Sequence, residues 1–160
     1  MFFGNGIPSG FVTSDGNNYT NLSGALDVAA HELTHAVTDA TSHLIYRNES
    51  GALNEALSDM IGKSVEFFYH PSGGGVGQAD YVIGKDVVRA VRPGSLNGIR
   101  SMENPRAYGD PDHYSKRVII SQDKGAVHTN SGIANHAFYL AIEGGVVSHD
   151  NPLTISRIGS

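Results

Sequence analysis

The strongest constraint on this chain is a pair of amphipathic helical segments, each with metal-competent side chains four residues apart. Leu26, Ala29, Leu33, Val37 and Ala40 recur at spacings of three and four, the apolar stripe of a helix running from Gly24 to about Thr41. Within it stands "HELTHAVTD", residues 31 to 39. A helix stacks positions i and i+4 on one face, so His31 and His35 can aim their imidazoles at one ion, with Glu32 beside them. The bland alternative is a surface helix with two incidental histidines.

A second helix is predicted after the polar connector "SHLIYRNESG", with Ser50 as its cap and Leu53, Ala56, Leu57, Met60, Ile61, Val65 and Phe68 as its stripe. Pro71 and Gly73 to Gly75 end it. In "NEALSD", Glu55 and Asp59 share a face, and Glu55 follows His35 by twenty residues. That spacing lets the two helices pack antiparallel. Glu55 can then complete a His2Glu set with one coordination position open, the mark of a catalytic rather than a structural zinc. Asn54 and Asp59 offer oxygens for the outward imidazole N–H groups, as metal-bound histidines require. Taken alone, the acidic pair reads equally well as a solvated face.

Elsewhere the chain is less regular. Residues 1–23 read as strand and turn, with short apolar islands such as "GFVT". Residues 70–130 are loop-like, and loops this long usually serve a site or bind ions. A third helix is expected from about Ile133 to Glu143, closed by Gly144 and Gly145. There are no cysteines, so any metal must be held by His, Asp or Glu. A net charge of -5 without a basic cluster argues against nucleic acid, and no apolar run is long enough to span a membrane. The 160 residues suit a single domain or a piece of a larger one, with 1–23 a strand and turn segment and 24–160 a helical, loop-rich part.

"HELTHAVTD", "GALNEALSD", "DPDHYSK" and "QDKGAVHTNSGI", in this order and at these separations, resemble the thermolysin-like neutral metalloproteases. The resemblance runs from about Leu22 to Gly145. It implies an α+β fold, a zincin-type core in which the HExxH helix packs on a second ligand-bearing helix, with short N-terminal strands and long loops. It also implies zinc on His31, His35 and Glu55, a ligand set general to such enzymes rather than one deduced independently from this chain. Glu32 would serve as general base to a zinc-activated water, and Tyr46 and His128 as oxyanion donors, with Asp123 orienting His128. Arg100 would bind a substrate carbonyl. Leu22, Val28, Ile83 and Ile99 match the apolar pocket for the residue after the cleaved bond, implying an endopeptidase that cuts on the amino side of bulky hydrophobic residues.

By the same resemblance Asp27, Glu66, Asp80 and the Val82 carbonyl are calcium candidates. Lys85 stands where relatives have a calcium-binding glutamate, and Lys63 lies one helical turn from Glu66, so one calcium at most is expected. The resemblance also places the sequence as truncated at both ends. Flanking protease segments join peptide or protein substrate as expected partners, and nucleic acid and membrane are excluded. Around His128, Ala126 and Thr129 replace the commoner Gly and Ile. His43, His70, His113, His136 and His149 are read as non-catalytic. Family habit implies secretion. The alternative function is an inactive remnant that binds zinc or peptide without turnover.

Overall fold

A computed structural model describes residues 6–8, 11–14, 16–146 and 154–156. The first five residues of the expected strand and turn segment, Gly10 of "GFVT", and His149 lie outside the described residues. Helices α1 (Leu26–Ala40) and α2 (Asn48–Tyr69) form the centre. They are followed by strands β2 (Val82–Ile83), β3 (Val88–Ala90) and β4 (Arg100–Ser101), and β1 (Asn17–Tyr19) precedes them. Helix α3 (Asp123–Glu143) closes the other side of α2, and β5 (Gly145–Val146) and β6 (Thr154–Ile155) form a short hairpin-like pair. β1 pairs with β3 and β2 with β4, both antiparallel, so the strands are short clasps around the helices. This is the expected α+β arrangement with long connecting loops.

Three contacts fix the antiparallel packing of α1 on α2. His35 meets Asn54, His31 meets Asp59, and Asp27 meets Lys63, with one sequence number falling as the other rises. The helices approach closely because position 62 is glycine. A Cβ there would lie 2.5 Å from the Asp27 carbonyl oxygen, and the pair would have to part to admit it. A small apolar cluster of Ala25, Val28, Val87 and Val88, with Tyr19 and Leu22 against it, joins the start of α1 to the strands.

The structure corrects several expectations. The predicted apolar stripes are buried only in part, Ala56 being their one fully buried member. In α1 the buried residues are Asp27, Val28, His31, Thr34 and Thr38, while Leu33 and Val37 are 63% and 59% exposed. In α2 the buried face runs through Gly51, Asn54, Glu55, Ser58, Asp59, Gly62, Lys63 and Glu66, leaving Leu53, Leu57, Ile61 and Phe68 exposed. Periodicity identifies an apolar side but not what covers it. Ser50 lies inside the first turn of α2, where its hydroxyl donates to the carbonyls of Ile45 and Arg47; the cap position is Arg47. The early strand falls on polar "NNY" rather than on Phe11–Thr13, and Phe11 is exposed. Helix α3 begins ten residues earlier than predicted.

Candidate metal centre

His31 and His35 stand one above the other on the face of α1 that meets α2, as their spacing requires. His31 is buried, and its Nδ1 is 2.8 Å from Asp59 Oδ1; His35 Nδ1 is 2.7 Å from Asn54 Oδ1. With acceptor oxygens at both Nδ1 atoms, the protons belong there. The two Nε2 lone pairs then face each other 3.0 Å apart. The Glu55 carboxylate closes the triangle, 3.5 Å from His31 Nε2 and 3.3 Å from His35 Nε2. A tetrahedral ion with bonds of about 2.1 Å has ligand separations of about 3.4 Å, so this donor set has the size and chemistry of a zinc site. Lone pairs and a carboxylate gathered this tightly call for a cation between them.

Burial alone would raise the Glu55 pKa, but the His35 imidazole, the Tyr46 hydroxyl and the nearby His128 and Arg100 hold it down at about 2. The acceptor therefore stays ionised at neutral pH. His35 is shifted upward, chiefly by its contact with Glu55 and against its own burial. Glu32, one residue after His31, is half-buried and lines the same open cleft of about 490 Å³, together with His31, His35, Tyr46, Glu55 and His128.

Tyr46 and His128 arrive from opposite sides. The Tyr46 hydroxyl donates to Glu55 and lies 3.3 Å from His128 Nε2. Burial and the Glu55 carboxylate push the phenol pKa up, so it remains a donor. Asp123 accepts from both the ring Nδ1 (2.6 Å) and the backbone N–H (2.9 Å) of His128, which fixes the imidazole at the start of the helix. That geometry depends on a left-handed run at the head of α3, where Asp123, Lys124, Gly125 and Ala126 all have positive φ. Glycine suits position 125: its φ is 97°, and a Cβ there would sit 2.2 Å from Asn48 Oδ1 and 3.1 Å from the Asn48 Cα.

Asp59 is the buried hub behind the ligands. Arg100 grips it with Nε at 2.6 Å and Nη2 at 2.8 Å, and also reaches Glu55 at 3.4 Å. Asn135 on α3 adds a donor at 2.7 Å. Burial opposes ionisation of Asp59, but the guanidinium outweighs it and holds the carboxyl far below its usual range. Sequence reasoning missed Asn135. The available signal was the run His128, Ser131, Asn135 on one face of a helix whose buried residues include Ser131 and Asn135. The fork of Arg100, the residue expected to bind a substrate carbonyl, is turned onto Asp59 and Glu55, where it positions the carboxylates.

The calcium candidates gather around lysines. Lys63 is fully buried, and its ammonium donates to Asp27 at 3.3 Å, to the Val82 carbonyl at 2.9 Å, and to Glu66. Lys85 pairs with Asp80 at 2.9 Å. The Lys63 ammonium stands among the Asp27, Glu66 and Val82 oxygens, where a calcium shared by them would sit, and supplies the positive charge there. Leu22, Val28 and Ile83 pack as core or partly buried side chains, with Ile99 at their edge over Gly84; none of the four lines the cleft at Glu32.

Comparison with known proteins supports the same grouping. A family model described as "Thermolysin metallopeptidase, alpha-helical domain" matches residues 42–159, and one described as "Thermolysin metallopeptidase, catalytic domain" matches residues 1–39. Bacillolysin of Brevibacillus brevis is 50% identical over 143 residues, 89% of this chain and 25% of that protein. Thermolysin of Alicyclobacillus acidocaldarius is 49% identical over 144 residues, 90% of this chain and 25% of its own length. Among solved structures, the precursor of protealysin, a metalloproteinase from Serratia proteamaculans, aligns with a TM-score of 0.68 at 34% identity, covering 87% of this chain and 42% of that one. The chain thus spans about a quarter of the length of the curated relatives it matches. With the longer family match taking in Glu55, Tyr46, Arg100 and His128 together, the chain belongs to the thermolysin metallopeptidase family.

Proposed function

We propose that this chain carries the catalytic centre of a zinc-dependent endopeptidase, with His31, His35 and Glu55 as ligands. The convergence of both imidazole Nε2 atoms and the Glu55 carboxylate within 3.0 to 3.5 Å, each Nδ1 already held by an acceptor, carries the reading. Bound zinc would supply Lewis acidity, lowering the pKa of water and polarising a peptide carbonyl.

The protein's own groups do the rest. Glu32 takes the proton from the attacking water and returns it to the leaving amine nitrogen, which its place in the cleft beside His35 allows. Tyr46 donates its hydroxyl proton to the oxyanion of the tetrahedral intermediate. Asp123 occupies His128 Nδ1, so Nε2 is the nitrogen turned to the cleft, donating when the ring is doubly protonated. Asp59 and Asn54 keep the ligand imidazoles in their binding tautomers, and Arg100 keeps Asp59 charged.

Peptide or protein is the substrate on this reading, cleaved before bulky hydrophobic residues. That preference rests on the family resemblance of Leu22, Val28, Ile83 and Ile99. Zinc is the cofactor; the charge a calcium would bring is supplied by Lys63. Family membership also supports an extracellular place of work. The alternative, a remnant that binds zinc without turnover, is separated by one experiment. The zinc-loaded chain should hydrolyse an internally quenched peptide, and Glu32→Gln should lower that rate at least a hundredfold while zinc content stays unchanged. A chain that holds zinc but cleaves nothing is the remnant.

A further inference from the structure

Eleven residues beyond Glu55, about 16 Å along α2, a second group of ligand-type side chains meets. Glu66 is buried on the last turn of α2, and His70 caps that helix with its backbone N–H on the Glu66 carbonyl at 2.8 Å. The two sit at i and i+4, the same relation as His31 and His35. Asp86 faces them from the turn between β2 and β3. One ligand atom from each of Glu66, His70 and Asp86 lies within 4.8 Å of the others.

Two further observations set this cluster apart from a solvated acidic patch. His70 Nδ1 is buried and has no hydrogen-bond partner among the described residues. A buried imidazole nitrogen with nothing to bond is a costly arrangement without a ligand. Charge points the same way. Asp27, Glu66, Asp80 and Asp86 are four carboxylates facing two ammonium groups, Lys63 and Lys85, which leaves two negative charges. Asp86 accepts only the Gly77 N–H, at 3.2 and 3.3 Å, and has no cationic partner among the described residues.

We propose that Glu66, His70 and Asp86 form a second, structural site for a divalent first-row transition ion of the zinc type. An imidazole with two carboxylates suits such an ion rather than calcium or magnesium, and its double charge balances the pocket. The ion pins the end of α2 to the β2–β3 turn. It stands apart from the catalytic reading and does not depend on it.

The test loads the full chain with Zn2+, removes loosely held metal by desalting, and measures bound zinc per chain. Wild type should retain two equivalents. His70→Ala and Asp86→Asn should each retain one, and His35→Ala should also retain one, lost from the other site. Asp86 lies in a half-buried turn, so its variant remains informative if His70→Ala fails to fold by circular dichroism. Wild type retaining one equivalent that both Asp86→Asn and His70→Ala keep overturns the site, as does a second equivalent that survives both substitutions. One equivalent lost with His70→Ala and kept with His35→Ala supports this site and overturns the catalytic zinc instead.

Discussion

Where α1 and α2 meet, they bury Asp27, His31, Asn54, Glu55, Asp59, Lys63 and Glu66; on their other sides they expose Leu33, Val37, Leu53, Leu57, Ile61 and Phe68. Most helix pairs do the reverse. The inner face tolerates this because its polar groups are matched: Arg100 against Asp59, Lys63 against Asp27 and Glu66, each ligand imidazole against an acceptor. The outer faces are apolar patches of the kind that mark contact surfaces. Specificity is therefore concentrated inside, where one unmatched charge is expensive. Outside, what matters is water or a covering surface. Among the described residues no helix is long and apolar enough to cross a membrane, so that cover is not a bilayer-spanning role of these helices.

The contrast can be broken most severely at the hub. Asp59→Ala leaves the Arg100 guanidinium buried without its partner, and should lower stability by about 3 to 5 kcal/mol in urea unfolding. Zinc affinity should fall with it, because His31 loses the acceptor that sets its tautomer. A loss under 1 kcal/mol would mean the inner network relaxes freely.

A smaller effect is expected at Asp110, half-buried near Arg100 and Asp59. Burial raises its carboxyl from 3.8 to about 7, with Asp59 adding to the rise and Arg100 opposing it. Below pH 4 the folded and unfolded chains both hold the proton, and the group costs nothing. As pH rises from about 4 through 7, the unfolded chain ionises first and stability is lost; above 7 the full penalty stands. Asp110→Asn should therefore melt higher than wild type at pH 8, with the gap closing by pH 4. A gap that widens towards acid contradicts the assignment.

On the outer face the effect on folding should be least. Leu57→Gln and Ile61→Gln should each change stability by about 0.5 kcal/mol or less, yet reduce light scattering of concentrated protein. Large destabilisation there would mean these side chains are packed rather than exposed.

Much of the site is legible in the residues. Helical spacing aligns His31 with His35, and the second helix with its Glu55 follows from the same arithmetic. Asn54 and Asp59 are found by asking what must accept the outward N–H groups. The direction of burial is not legible, because a 3.6-residue period gives the same apolar stripe whether it meets a core or solvent. Arg100 facing inward needs the β4 strand to bring residue 100 beside residue 59, a pairing that local patterns do not encode. The head of α3 escapes for another reason: Asp123 to Ala126 adopt left-handed backbone, which residues other than glycine seldom take, and only Gly125 signals it. The strand at "NNY" is held by its pairing with β3, against its own weak propensity.

The central claim is tested most directly by a crystal structure of the zinc-loaded chain with anomalous data at the zinc edge. The account predicts a strong peak about 2.0 to 2.2 Å from His31 Nε2, His35 Nε2 and a Glu55 oxygen, with no fourth protein ligand. A chain whose ordered zinc binds elsewhere, or whose His31, His35 and Glu55 stay in place around no metal at saturating zinc, contradicts it.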